Sequence, residues 1–209
     1  MRKRLPRHLS HKSALVLLPP QSIAPPIEET RKVHDRHYAR WPPHINLIYP
    51  FLSAPSELIQ QGDGTVRHLK EEIRVRIERA TRPFRTFQES LAVDNVGVFH
   101  HDARKKTVWL KPTTHRMHGL QAALQAEFLE CNTDSRPFTP HLSIGQARTD
   151  GQASRIGDDF RNNVTSLLQE TPIAPVKALD WTVDRVFVIE RENYQGCFSV
   201  IGEILLQTA

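Results

Sequence analysis

From Ser13 onward, short continuous apolar runs alternate with stretches whose apolar residues recur every three or four positions. Runs of the first kind read as strands, and the second kind as one face of a helix. Ser13 to Leu18 predicts a buried strand, stopped by Pro19-Pro20. A helix opens at Pro25-Pro26, because proline is tolerated in a first turn, and carries Ile27, Val33, His34 and His37 toward Tyr38. A strand from Pro43 to Phe51 follows. Val66, Leu69, Ile73 and Ile77 then predict a helix ended by Pro83, and Phe84 to Val98 supplies one or two strands with Gly97 near a bend. The second half repeats this order. Thr107 to Leu110 is a strand; Met117, Leu120, Leu124 and Phe128 form a helical stripe; a strand runs from Phe138 to Ile144; Ile156, Phe160, Val164 and Leu167 mark a helix that stops before Pro172. Trp181 to Ile189 and Phe198 to Leu206 close the chain as a strand pair around Gln195-Gly196.

Each half therefore reads strand, helix, strand, helix, strand, which predicts an α+β fold of two lobes related by an approximate two-fold axis. The lobes span about 13–100 and 105–209. No low-complexity linker divides them, so residues 13–209 are taken as one bilobal domain and residues 1–12 as a basic, disordered tail.

Two of the strands open alike. Pro43-His44-Ile45-Asn46-Leu47 and Pro140-His141-Leu142-Ser143-Ile144 each place a histidine after a proline and start an apolar-polar alternation. Residues two apart on a strand share a face, so each copy sets an imidazole beside a small hydrogen-bonding side chain. Two such central strands facing one cleft present two imidazoles and two neutral donors, a set suited to acid-base chemistry at a phosphate. His8-Leu9-Ser10 and His11-Lys12-Ser13 share the spacing, but neither follows a proline or continues as an alternating strand, and both are read as decoys. His34-x-x-His37, His100-His101-Asp102 and His115-x-x-His118 have spacings compatible with metal ligation, yet no further ligand joins the helical pairs in a recognisable pattern, and no metal is expected.

Composition narrows the setting. The formal charge is +5, from 28 bases against 23 acids, but five of the bases (Arg2, Lys3, Arg4, Arg7 and Lys12) lie in residues 1–27, which contain no acid, so the rest of the chain is neutral. The excess belongs to the tail, where it fits a solvated arm, a nuclear address, a transit peptide or a weak RNA contact. Cys131 and Cys197 lie far apart without metal-ligand spacing, which fits an intracellular, reducing compartment. The apolar run Ala14 to Leu18 is too short for a signal sequence or a membrane span.

Three segments carry a resemblance: Trp41-Pro42-Pro43-His44-Ile45-Asn46-Leu47-Ile48-Tyr49-Pro50-Phe51, Pro137-Phe138-Thr139-Pro140-His141-Leu142-Ser143-Ile144-Gly145-Gln146, and Asp184-Arg185-Val186-Phe187-Val188-Ile189-Glu190-Arg191-Glu192. They resemble the 2H phosphoesterase superfamily, in its eukaryotic branch similar to bacterial 2′-5′ RNA ligases and cyclic phosphodiesterases. The resemblance implies two antiparallel sheets flanked by helices, and metal-independent hydrolysis of 2′,3′-cyclic phosphates or related phosphodiesters at RNA or nucleotide ends, yielding a 2′-phosphate. It implies no cofactor. One histidine would activate water and the other protonate the leaving ribose oxygen; base is assigned to His141 and acid to His44. Asn46 and Ser143 would hold the non-bridging oxygens, Tyr49 and Phe51 would line the nucleotide pocket, and Arg40 would meet phosphate. Gln146 continues the second strand but is out of phase with His141 unless the strand bends. Asn46 departs from the superfamily, which has Ser or Thr there; its amide also carries donors, on a longer planar arm. The alternatives are a non-catalytic RNA-end-binding module, a 2′-5′ ligase or a 3′-end-trimming activity, in each case taken as a monomer with no membrane partner.

Overall fold

The computed structural model describes residues 5–62, 64–133, 136–168 and 176–208. In chain order the strands are β1 (Leu9–Ser10), β2 (Ser13–Leu17), β3 (Ile45–Ile48), β4 (Phe51–Leu52), β5 (Ser56–Gln61), β6 (Gly64–Leu69), β7 (Phe87–Ala92), β8 (Gly97–Asp102), β9 (Lys105–Leu110), β10 (Leu142–Ala147), β11 (Ala178–Val183), β12 (Arg185–Glu190) and β13 (Ser199–Leu205). The helices are α1 (Ala24–His34), α2 (Glu71–Thr81), α3 (Arg116–Glu127) and α4 (Asp150–Leu168). The fold is α+β and its strand pairs are antiparallel. One sheet has the order β13-β12-β2-β3, and the other β10-β9-β8. The pair β11-β7 joins the second through a bridge between Leu91 and Pro112.

Neither sheet is built from one half of the sequence. The C-terminal strands β12 and β13 complete the sheet of β2 and β3, while β7 and β8 pair with strands of the second half. The boundary expected near residue 100 divides the chain but not the sheets. The helices cross over as well. α1 packs on α4 and on β10, whereas α3 packs on α2 and on β3. Gly145 permits the close approach of α1, since a Cβ there would lie 2.7 Å from the His34 Cβ. The helical stripes fill the core with one exception: Met117, Leu120, Leu124 and Phe128 are fully buried, as is Phe160 of α4, but Leu167 near the end of α4 is exposed. Each of the buried side chains contributes about 1.5–3 kcal/mol of hydrophobic stabilisation.

Four expectations are corrected. The helix expected from Val66 starts at Glu71, and residues 56–69 form the hairpin β5-β6, with Gly62 at φ +59° in its turn. Val66 and Leu69 fit helical spacing with Ile73 by coincidence, while Gly62 and Gly64 bring turn chemistry instead. The helix expected to carry Val33, His34 and His37 toward Tyr38 ends at His34, and Val33 on it is 74% exposed while Arg31 is only 2% exposed. The stretch read as one strand from Trp181 is two, β11 and β12, which join different sheets. Lastly, residues 5–12 are not a free arm. β1 pairs with β4, Leu9 is buried, Ser53 N–H donates to the His8 carbonyl (2.8 Å) and Lys12 Nζ to the Glu192 carbonyl (3.1 Å). The segment satisfies backbone groups that β4 would otherwise expose at an edge. Arg2, Lys3 and Arg4, and Pro172 after α4, lie outside the described residues.

Candidate active site

His44 and His141 stand one residue before β3 and β10, at the mouths of these strands rather than within them. Both strands then break register at the same place. Asn46 pairs with Val16 and Ile48 with Leu15, leaving Leu47 extra; Ser143 pairs with Trp109 and Gly145 with Val108, leaving Ile144 extra. A bulge of this kind shifts the alternation by one residue. It turns the buried Leu47 and Ile144 into the core and returns Tyr49 to the face of Asn46 and Gln146 to the face of Ser143. The phase problem at Gln146 is thereby resolved.

Each imidazole is fixed in the same way. His44 Nδ1 lies 2.7 Å from the Pro42 carbonyl and His141 Nδ1 lies 2.8 Å from the Thr139 carbonyl. A carbonyl accepts only, so the proton sits on Nδ1 and each neutral ring presents the lone pair of Nε2. Asn46 Nδ2 donates to His44 Nε2 at 3.1 Å. The Asn46 Oδ1 is buried without a partner.

The two histidines have different walls. Trp41 stacks on His44 with ring centroids 4.7 Å apart and an interplanar angle of 18°, and Phe198 packs on Trp41. The Arg191 guanidinium lies over the rings of Phe198, Tyr194 and Trp41. Phe99 and Trp109 stack on each other, and both present to the His141 ring edge-on or tilted, at 4.8 and 5.9 Å. Trp109 lies over Gly97, its cross-strand partner, where a Cβ would come within 2.2 Å of the indole. Burial pushes the His44 pKa down to about 4; the Pro42 carbonyl opposes this, while Arg31 and His141 add to it. Burial also lowers the pKa of His141, against the Thr139 carbonyl and with His101. His141, Arg31 and Asp35 all bear electrostatically on His44.

The remaining candidates divide. Tyr49 is 38% exposed, meets the Trp41 edge and leans on His11, so the supposed decoy His11 lies against the wall of the site. Burial raises the Tyr49 pKa, against the pull of Arg191. Phe51 is fully buried against Phe128 and belongs to the core, which corrects its assignment to the nucleotide pocket. Arg40 donates from Nη2 to His37 Nδ1 (2.6 Å). Gln146 is engaged by Asp35 and by the Arg36 amide. His34 pairs with Asp159, and no three His, Cys, Asp or Glu side chains cluster as a metal site among the described residues. Sequence reasoning missed Arg31, Asp35, Trp41, Trp109 and Arg191. Arg31 carried one signal, its i,i+4 relation to Asp35, and that pair is buried. Among the described residues, five buried side-chain polar atoms lack a partner, and four of them belong to Arg31, Asn46, Trp109 and Arg191 around these histidines.

Comparison with known proteins gives the family and the fold. A sequence model of the 2′-5′ RNA ligase superfamily matches residues 19–195. A Bacillus mycoides protein provisionally named a phosphoesterase is 27% identical over 194 residues, covering 87% of this chain and 99% of its own. The structure of E. coli LigT with 3′-AMP aligns with a TM-score of 0.54 at 17% identity, over 94% of this chain and 98% of its own. A Thermus thermophilus protein aligns with a TM-score of 0.53 at 17% identity and the same coverage. No helix of the described residues is long and apolar enough to cross a membrane.

Proposed function

Because the chain belongs to the 2′-5′ RNA ligase superfamily of 2H phosphoesterases, we propose that it hydrolyses 2′,3′-cyclic phosphates at RNA or nucleotide ends, leaving a 2′-phosphate. The observation that carries this reading is the pair of equivalent stations. On each, a carbonyl holds Nδ1–H, Nε2 keeps its lone pair, and a neutral donor stands two residues on, ahead of a bulge. Opening the ring needs a base on the entering water and an acid on the leaving alkoxide, on opposite sides of phosphorus. Two imidazoles supply both without a metal in any step. Asn46 Nδ2, now spent on His44, and the Ser143 hydroxyl are the donors for the non-bridging oxygens. The nucleotide ligand in the LigT structure is in keeping with a nucleotide-sized substrate.

We assign the proton the other way round from the sequence reading, on the direction of the shifts at the two rings. His44 resists protonation more, down to about 4, so the single proton of the active pair resides on His141. His44 is then the base and His141 the acid. A p-nitrophenyl phosphodiester, whose leaving group departs unprotonated, should restore turnover to His141→Ala but not to His44→Ala; rescue of His44→Ala instead would reverse the roles.

The function itself is tested with oligonucleotides of defined termini: a 2′,3′-cyclic phosphate, a 2′-5′ linkage, or a free 3′ end. Conversion of the cyclic phosphate alone, to a 2′-monoester, is the expected result. Binding of the cyclic end without product would make the protein an RNA-end-binding module.

A further inference from the structure

Gln146 shares the face of Ser143, yet its amide is committed on both sides. Oε1 accepts from the Arg36 N–H at 3.0 Å, and Nε2 donates to Asp35 Oδ1 at 2.9 Å. The same Oδ1 accepts from the His37 N–H at 2.8 Å. Asp35 Oδ2 is held by Arg31, at 2.9 Å from Nε and 2.8 Å from Nη2. Arg31 in turn donates from Nη2 to the carbonyl of Trp41 at 2.9 Å, and Trp41 stacks on His44. A continuous run of contacts therefore leads from the second His strand to the first histidine.

We propose that Gln146 is a positioning residue for His44, acting through Asp35, Arg31 and the Trp41 carbonyl rather than by touching substrate. The proposal rests on the two-histidine reading for its effect on turnover, but not for its effect on the ring. A buried ion pair specifies geometry only when its remaining hydrogen-bonding positions are filled. Burial works to raise the Asp35 pKa, and the bonds from Gln146, Arg31 and the His37 amide overcome it and hold the carboxyl below its usual range. Without Gln146 the carboxylate loses a donor, Arg31 loses part of its partner, and the Trp41 carbonyl loses a firm anchor. The charged and titratable groups bearing on His44 are Arg31 and Asp35, at the end of α1, and His141 beside β10; Arg191 lies beyond Trp41. Two of these belong to the relay, so a change at Gln146 reaches the electrostatics of His44 as well as its placement.

The test compares Gln146→Met, which keeps the length and removes both hydrogen bonds, with Asp35→Asn and the double variant. In substrate-free protein, the His44 ring resonance and its titration midpoint should shift in Gln146→Met, while His141 is unmoved. On a mononucleotide cyclic phosphate, kcat should fall roughly 5- to 10-fold with KM within about twofold, the scale of one lost hydrogen bond. The double variant should be no slower than Asp35→Asn alone, because both changes break one relay. If Gln146 instead contacts substrate, Gln146→Met raises KM, its effect multiplies with that of Asp35→Asn, and His44 titrates as before; that result overturns the proposal. Should Gln146→Met fail to fold, Gln146→Asn, which retracts the amide by one methylene, carries the same comparison. A shifted His44 in a protein inactive on every cyclic phosphate would uphold the relay and remove the functional reading.

Discussion

Burial of His44 makes the stability of the fold depend on pH in a window that a single variant isolates. In the unfolded chain this imidazole titrates near 6.5, and in the fold it is held down to about 4. Between these values the unfolded state takes up a proton that the native state refuses, so acidification favours unfolding. The contribution of His44 is therefore intact above pH 6.5, declines as the pH falls, and is fully lost near pH 4. The gap between 6.5 and about 4, at about 1.4 kcal/mol per pH unit, amounts to about 3.5 kcal/mol as a ceiling. His44 as a residue is only partly buried, and solvent screening trims that figure. His44→Gln removes the titration while its amide can still donate to the Pro42 carbonyl. Urea unfolding of both proteins at intervals from pH 7.5 to 4.5 gives a difference curve in which other titrating groups cancel. Wild type should lose more stability than the variant on acidification, by about 1–3 kcal/mol across the window. A difference that stays flat within about 0.5 kcal/mol would show that His44 is freely solvated, and the account of its low pKa would fall.

Further outcomes follow from the walls of the site. Gly97→Ala places a methyl group within 2.2 Å of Trp109, so it should cost about 1–3 kcal/mol by overpacking and slow turnover as the wall beside His141 shifts; indole fluorescence and kinetics read the two effects. Asn46→Ala and Ser143→Ala should each cost about 2–4 kcal/mol of transition-state stabilisation, with Asn46→Ser retaining much of it; a wild-type rate for Asn46→Ala would reduce that residue to a spacer for His44. Deleting residues 1–12 removes β1, the His11 contact with Tyr49 and the His11 carbonyl that Arg191 Nη2 uses at 3.0 Å. Such a truncation should lower the melting temperature and mononucleotide turnover together, and an unaffected enzyme would return the segment to the role of a free arm.

The two histidines were legible because the Pro-His step and the alternation after it are local signals. Their bulges were not, since an extra residue shows only against the register of a neighbouring strand, and that register is set by Val16 and Trp109, far away in sequence. Gln146 could be placed only after the bulge was seen. Arg31 was missed for a related reason: its i,i+4 relation to Asp35 is local, but the burial that gives the pair its importance follows from α1 packing on α4 and β10 across the halves. The repeat of element order was visible in periodicity, but the exchange of strands and helices between the sheets depends on nonlocal pairing. Leu9 is the plainest case: a basic flank suggested disorder, and the unpaired edge of β4 recruited it.

The central claim, that two histidines share one proton at a cyclic phosphate, is tested most directly by following 2′,3′-cyclic AMP by phosphorus NMR with the wild-type protein and with His44→Ala and His141→Ala, chelator present throughout. The cyclic resonance should give way to a single 2′-monoester resonance with the wild type, and roughly 10²–10⁴ times more slowly with either variant. A variant that turns over at the wild-type rate, or a wild-type protein that leaves the cyclic resonance intact until a divalent metal is restored, would contradict it.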